Sequence, residues 1–475
     1  MSVTASPGAR ACATCDVNSG SGANSGAVLG SASASSCSSS WEFPLQACVN
    51  LDAIVHNSKV FARLAPGRMQ MGIVKANAYG HGMAPVARAL RYSGFTWFGV
   101  SHVDEAAALR QIFDTWDDAP HLPKPRILTW LYAFSQDLRP ALEADLDLAI
   151  SSLEHLQAVR RAVQLRSKAN PALFVPARVH LKIDVGMNRG GARLEQLPEL
   201  LAALTGAVQA GEVALESVWG HLNCADDPDG EGVVITCQEI AVFEQAKQMV
   251  ARFGLHPQFT HLAATAGTLW HPAAHYDLVR LGIGLYGYSP NPKARPADTA
   301  DLVEALTLTC RLTQVKRLHP GESVSYGATY TASCPQWIGL LPCGYGEGIP
   351  RQASNRAPVW VNGRRSRILG RVCMDQMMID LGEGAEPWGQ VGDEVVLFGA
   401  SRTLEGSATG YPTAEDWAQD ADTISYTITT NLPAHLPRIY TGKVAAELGL
   451  TESSSPPTAT VSLPRGDAHE GDEYV

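Results

Sequence analysis

Eight short apolar runs dominate the middle of the chain: Met71 to Val74, Trp97 to Val100, Ile127 to Leu131, Leu146 to Ile150, Val179 to Ile183, Leu215 to Trp219, Phe259 to Leu262 and Leu278 to Ile283. Between them lie segments such as 103–112, 153–165, 195–209 and 234–253, whose apolar residues recur at three and four positions, the period of an amphipathic helix. Strands alternating with helices predict an α/β fold, a (β/α)8 TIM barrel over residues 54–300. In such a barrel the chemistry sits on the loops just beyond the strand ends. The residues there are Lys75, His102, Lys182 with Arg189, His221, Thr265 and Arg280, a set rich in reactive and anion-binding side chains.

After about residue 300 the period changes. Leu306 to Leu318, Ser323 to Tyr330, Trp337 to Leu341, Val359 to Val361, Arg367 to Val372 and Glu394 to Phe398 are short, β-branched or alternating, and broken by Gly and Pro. Val359-Trp360-Val361 runs into Asn362-Gly363, a strong hairpin signal. Residues 301–445 therefore read as a mainly-β C-terminal domain. The strand-like segment within 41–53 is expected to pair with it, and 401–421 reads as a surface loop inserted in it.

The 475 residues carry a net charge of −10 with only 18% charged residues, which argues against nucleic acid or an anionic membrane as partner. Residues 1–40 hold 12 Ser, 8 Ala and 5 Gly, too little apolar surface to fold, and read as a disordered leader. Residues 446–475 read as an acidic disordered tail. The leader shows no basic region followed by an apolar run, and no stretch of 18 apolar residues occurs anywhere, so neither a secretory signal nor a membrane span is expected. Ten cysteines at irregular positions suit a reducing cytoplasm. Cys12-Ala-Thr-Cys15 lacks the partners of a metal or redox motif and reads as incidental.

The most informative segment is Val74-Lys75-Ala76-Asn77-Ala78-Tyr79-Gly80-His81-Gly82. A lysine at a strand end, partly desolvated and near other cations, can act as a Schiff-base amine or general base. The segment resembles the pyridoxal phosphate (PLP) attachment site of the alanine racemase family, the barrel-containing fold type III of PLP enzymes. Further segments match in order: Lys182 to Gly190, Gly220-His221, His261 to Ala266, Val279 to Ile283, Ser325 to Ala328, Gly370 to Gln376 and Thr423 to Tyr426. The resemblance spans about residues 45–440. Ala264, Glu347 and Val185 depart from it, standing where Asn, Asp and Thr are common.

The resemblance implies roles residue by residue. Lys75 holds PLP and serves as one catalytic base. Tyr79, Thr265, Tyr426 and the backbone near Gly282 and Ile283 hold its phosphate. Arg280 faces the pyridine nitrogen, and as a guanidinium it can only donate, which makes the cofactor a weaker electron sink than a carboxylate there would. His221 orients Arg280, and Arg189 reaches the cofactor or the substrate carboxylate. Lys182 stands where the family carbamylates a lysine. Tyr326 of the partner subunit is the opposite base, and the partner subunit's Tyr345, Met374 and Asp375 shape the pocket of a homodimer with shared sites.

The expected function is PLP-dependent interconversion of L- and D-alanine, feeding peptidoglycan synthesis if the source is a bacterium. The alternatives are a broad-specificity amino-acid racemase and a non-catalytic PLP-binding barrel protein. No metal is expected: Asp226, Asp227 and Asp229 read as a polar turn, and His261, His271 and His275 as loop residues near a helix-to-strand connection.

Overall fold

Eight parallel strands form a ring in the computed structural model, which describes residues 44–116, 119–171 and 174–451. The leader with its Cys12-Ala-Thr-Cys15, and the tail from residue 452, lie outside the described residues, whereas residues 446 and 447, read as the start of that tail, complete the short helix Lys443–Glu447. A first strand, β1 (Leu45–Asn50), precedes the ring, and Asn50 caps helix α1 (Leu51–Leu64) by accepting from the Asp52 and Ala53 amides at 3.0 and 3.3 Å. The ring strands are β2 (Met69–Ile73), β3 (Trp97–His102), β4 (Arg126–Leu131), β5 (Asp147–Ile150), β6 (Ala177–Lys182), β7 (Val213–Trp219), β8 (Phe259–His261) and β9 (Leu278–Leu281). Each pairs in parallel with its neighbours in the order β8-β7-β6-β5-β4-β3-β2-β9. The two ends meet through Asp277 N donating to Thr260 O at 3.1 Å and Arg280 N to Ala263 O at 3.0 Å. The barrel predicted from the eight runs is present, and its strand ends share one rim.

The second domain is a nine-stranded sheet. Its strands are β10 (Leu306–Arg311), β11 (Gln314–Leu318), β14 (Gln336–Leu341), β15 (Pro358–Val361), β16 (Arg364–Leu369), β17 (Met377–Asp380), β18 (Glu394–Phe398) and β19 (Arg438–Thr441), together with β1; a separate small hairpin joins β12 (Ser323–Val324) and β13 (Tyr330–Thr331). β1 lies between β10 and β19, antiparallel to the first and parallel to the second. The chain thus begins its described part in the β domain, crosses into the barrel through α1, and returns.

Several expectations are corrected. The run Leu306 to Leu318 is two strands, broken where Leu312 turns inward and its amide bonds Asp393 O at 3.0 Å. Ser323 to Tyr330 is not one strand, because Ser325, Gly327 and Ala328 take positive φ and put Tyr326 on a tight turn. β17 and β19 carry no strong alternation of their own; their partners across the sheet stabilise them.

The 401–421 loop ends in a helix, Ala414–Asp420. Thr413 accepts from the Asp416 amide at 3.1 Å while the Asp416 carboxylate accepts from Thr413 N at 2.9 Å, a capping box that the polar composition concealed. The helix is anchored by Trp417, fully buried, edge-on to Phe398 and donating its indole N–H to Leu397 O at 2.6 Å. Trp417→Ala is expected to cost about 3–5 kcal/mol in urea unfolding, the cavity penalty of a buried aromatic; a loss under 1 kcal/mol would show that the helix does not stabilise the sheet.

Candidate active site

Lys75 follows β2 directly and begins a turn that most sequences avoid. Ala76, Asn77, Ala78 and Tyr79 all have φ of 52 to 53°, four successive non-glycine residues in left-handed helical geometry. Each such residue costs on the order of 1 kcal/mol, so the surroundings must hold the turn in place. Glu105 accepts from the Ala76 amide at 2.7 Å, and Asn77 Oδ1 accepts from Met83 N at 2.8 Å. Gly80 closes the turn at φ 84°, where a Cβ would lie 2.0 Å from Thr429 O. The turn aims Lys75 into a cavity and swings Tyr79 back against the rings of Tyr286 and Tyr426, at centroid distances of 4.8 and 6.2 Å.

That cavity, of about 350 Å³, opens on the strand-end rim and is lined by Lys75, Tyr79, Lys182, Arg189, His221, Thr265, Arg280, Gly282, Ile283 and Tyr426. One end is built of hydrogen-bonding groups without net charge. Thr265 Oγ1 accepts from the amides of Gly282 and Gly284 at 3.3 and 3.4 Å, and a Cβ on Gly282 would sit 2.6 Å from the Tyr79 hydroxyl. Burial pushes the Tyr79 and Tyr426 phenols well above their ordinary value of 10, so both remain protonated donors.

The other end is cationic. Arg280 is buried on β9, where its Nη2 donates to Gly220 O at 2.8 Å and Leu262 O at 2.9 Å and meets His221 Nδ1 at 3.1 Å, while its Nη1 meets His261 Nδ1 at 3.1 Å. Burial lowers its pKa to about 9, still high enough to keep it charged at neutral pH. Burial and then the Arg280 charge hold both histidines well below 6.5. Lys75 is lowered by burial and by Arg189, against an opposing pull from Glu105.

Two tryptophans floor the cavity. The Trp219 ring lies 4.9 Å from Lys182 Nζ and 5.0 Å from the Arg280 guanidinium, and Trp130 lies 5.9 Å from Lys75 Nζ. Sequence reasoning passed over both, although each stands at or beside the end of a strand run, on the rim that the barrel marked. His261 is not a loop residue: it ends β8, fully buried, and touches Arg280. Among the described residues no group of three His, Cys, Asp or Glu is arranged to hold a metal.

Tyr326, Tyr345, Met374 and Asp375 do not line this cavity. They lie in the β domain, all exposed, with Tyr326 at 72%. Tyr345 and Met374 share one surface, since Tyr345 N donates to Cys373 O and Gly346 N to Met374 O at 3.0 and 2.8 Å. Ser325 ties Tyr326's turn to the same segment, its hydroxyl 3.2 Å from Cys373 Sγ.

Residues 49–290 match the alanine racemase N-terminal domain model and residues 305–440 the alanine racemase C-terminal domain model. The chain belongs to the alanine racemase family. An alanine racemase of Thermobifida fusca is 42% identical over 399 residues, which are 84% of this chain and 98% of that protein. The solved alanine racemase of Streptomyces coelicolor is similar with a TM-score of 0.76 at 38% identity, covering 84% of this chain and 98% of that one. That of Streptomyces lavendulae gives 0.75 at 36%, covering 85% and 98%. All three are named alanine racemase, an isomerase. Among the described residues of this one, no helix is long and apolar enough to cross a membrane.

In this racemase-family cavity Lys182 is a cation crowded by other cations. Burial, then Arg189 and Arg280, lower its pKa from 10.5 to about 8. The unfolded chain therefore binds more protons between those values, so stability must rise with pH across that window, the penalty being complete below about pH 8 and fading toward 10.5. In cofactor-free protein without bicarbonate, Lys182→Met is expected to melt higher than the parent near neutral pH, with the gap closing above about pH 10. A gap that does not change with pH would remove charge burial as its cause.

Proposed function

We propose that this chain interconverts L- and D-alanine with pyridoxal phosphate as cofactor, as a homodimer with shared active sites. The observation that carries the reading is one cavity joining Lys75 to a charge-neutral cradle of hydroxyls and amides at one end and to buried Arg280 at the other. The residues fit the cofactor: Tyr79, Tyr426 and the Gly282 amide would donate to its phosphate, Lys75 would hold it covalently, and Arg280 would donate to its pyridine nitrogen. The lack of a side chain at Gly282 leaves the room this needs. When bound, PLP supplies the electron sink that makes the substrate's α-C–H acidic.

The chain's own groups do the rest. Lys75 Nζ, its proton affinity lowered by burial and Arg189, takes or returns the α-proton on one face. Tyr326 of the partner subunit does so on the other, which its exposure here supports, since a functional tyrosine outside its own chain's cavity suits a neighbour's. The partner subunit's Tyr345, Met374 and Asp375 would narrow the entrance. Arg189 binds the substrate carboxylate. Arg280 can only donate, so it would leave the pyridine nitrogen without a proton and the cofactor a weaker electron sink, which would disfavour protonation at the wrong carbon. Lys182, largely able to shed its proton near pH 8, would add CO2 through its amine nitrogen and release a proton, becoming an anion that pairs with Arg189. D-alanine so formed would supply peptidoglycan synthesis in a bacterial cytoplasm.

Assaying racemisation across an amino-acid panel with added PLP tests the reading. Alanine should be turned over well ahead of serine, lysine and arginine. Equal rates would favour the broad-specificity alternative, and no α-hydrogen exchange with any amino acid would leave a PLP-binding protein without catalysis.

A further inference from the structure

Barrel interiors are ordinarily filled by branched apolar side chains. Here a column of polar side chains climbs through the interior from the strand starts to the cavity. Asp147 opens β5 and is fully buried; Arg126 of β4 grips its carboxylate with contacts of 2.7 to 3.2 Å, and Arg178 of β6 donates to the same group. His180 Nε2, also on β6, lies 3.2 Å from Asp147 Oδ2. Ser217 Oγ of β7 lies 2.7 Å from His180 Nδ1 and 3.0 Å from His261 Nε2, bridging two rings whose nearest nitrogens are 3.5 Å apart. His261 Nδ1 then meets Arg280. His180, Ser217 and His261 are fully buried, and the Trp219 indole stacks on His261 at an interplanar angle of 3°.

The direction of every bond in this column follows from its ends. A guanidinium only donates, so His261 Nδ1 must be bare. Burial and the Arg280 charge keep His261 neutral, so its one proton is on Nε2 and is given to Ser217 Oγ. The serine's single hydrogen is then available to His180 Nδ1, 2.7 Å away. Asp147, held ionised between two arginines, only accepts, so His180 carries its proton on Nε2. All four bonds run one way, from Arg280 down to Asp147, and bonds aligned head to tail reinforce one another.

We infer that Asp147, His180 and Ser217 are positioning residues for the racemase reaction, acting through His261: they hold it in its Nε2–H tautomer, so that Arg280 meets an acceptor rather than a second N–H. The inference rests on the role proposed for Arg280. Without the Ser217 hydroxyl, His261 is free to move its proton to Nδ1, which would push the guanidinium out of line.

Ser217→Ala removes the bridge with almost no change in volume. In the holoenzyme it is expected to lower kcat for alanine about tenfold in both directions while KM stays within about twofold, because the loss falls on orientation rather than on substrate contact. Neutron diffraction on the parent protein supplies a readout independent of turnover: deuterium on Nε2 of His180 and of His261, and none on Nδ1 of either. An unchanged kcat in Ser217→Ala, or deuterium on His261 Nδ1, would overturn the inference. A parent protein that shows the expected deuterons yet racemises no alanine would leave the column intact and sink the function proposal instead.

Discussion

Lys75→Ala is expected to abolish covalent attachment of pyridoxal phosphate and to lower alanine racemisation by about 10⁴-fold or more, since one residue supplies both the anchor and a base. The hydroxyl and amide cradle of Tyr79, Thr265, Tyr426 and Gly282 is untouched by the substitution, so the cofactor should still bind reversibly and be lost on dialysis. Loss of the protein-bound chromophore after gel filtration, with rates followed by α-hydrogen exchange in deuterated solvent, measures both effects. A chromophore that survives borohydride reduction and denaturation in the variant would assign the anchor to another lysine. Lys182 would then be the first candidate, because it lines the same cavity.

Tyr326→Phe should give an unequal result. If Lys75 serves one face and Tyr326 of the partner subunit the other, the hydroxyl's loss slows α-hydrogen removal from one enantiomer by about 10²–10⁴-fold and from the other far less. Single-turnover exchange from L- and D-alanine, measured separately, reads this directly. Equal losses for both enantiomers would exclude the two-base assignment. The structure sharpens the experiment, because Tyr326 lies on an exposed turn outside its own chain's cavity. Mixed dimers carrying Tyr326→Phe in one subunit and Lys75→Ala in the other should therefore retain either one intact site or none, according to whether the two residues act across subunits.

Much of the architecture was legible because its signals are local. The eight apolar runs coincide with the eight ring strands, from Met71 to Val74 against Met69–Ile73 through to Leu278 to Ile283 against Leu278–Leu281. A period of three and four residues between apolar runs needs no knowledge of distant contacts. The motif segments were legible for the same reason, and thirteen of their residues line one cavity. The β domain was read less completely. Met377–Asp380 and Arg438–Thr441 are strands because of what they pair with: the second lies beside Ala47–Asn50, nearly 400 residues away in the chain.

The site shows the same division at finer scale. The sequence alone determined the kinds of group available: a lysine at a strand end, tyrosines and a threonine for an anion, an arginine that can only donate. Those are properties of side chains and of their order along strands. Only the tertiary structure decided that residues 76–79 wind left-handed to aim Lys75, that Trp130 and Trp219 lie beneath the cations, and that His261 touches Arg280 at the head of a buried polar column. Each depends on atoms from separate strands meeting inside a closed barrel. A histidine's tautomer, or the strain of a turn, is set by those neighbours and leaves no periodic trace in the chain.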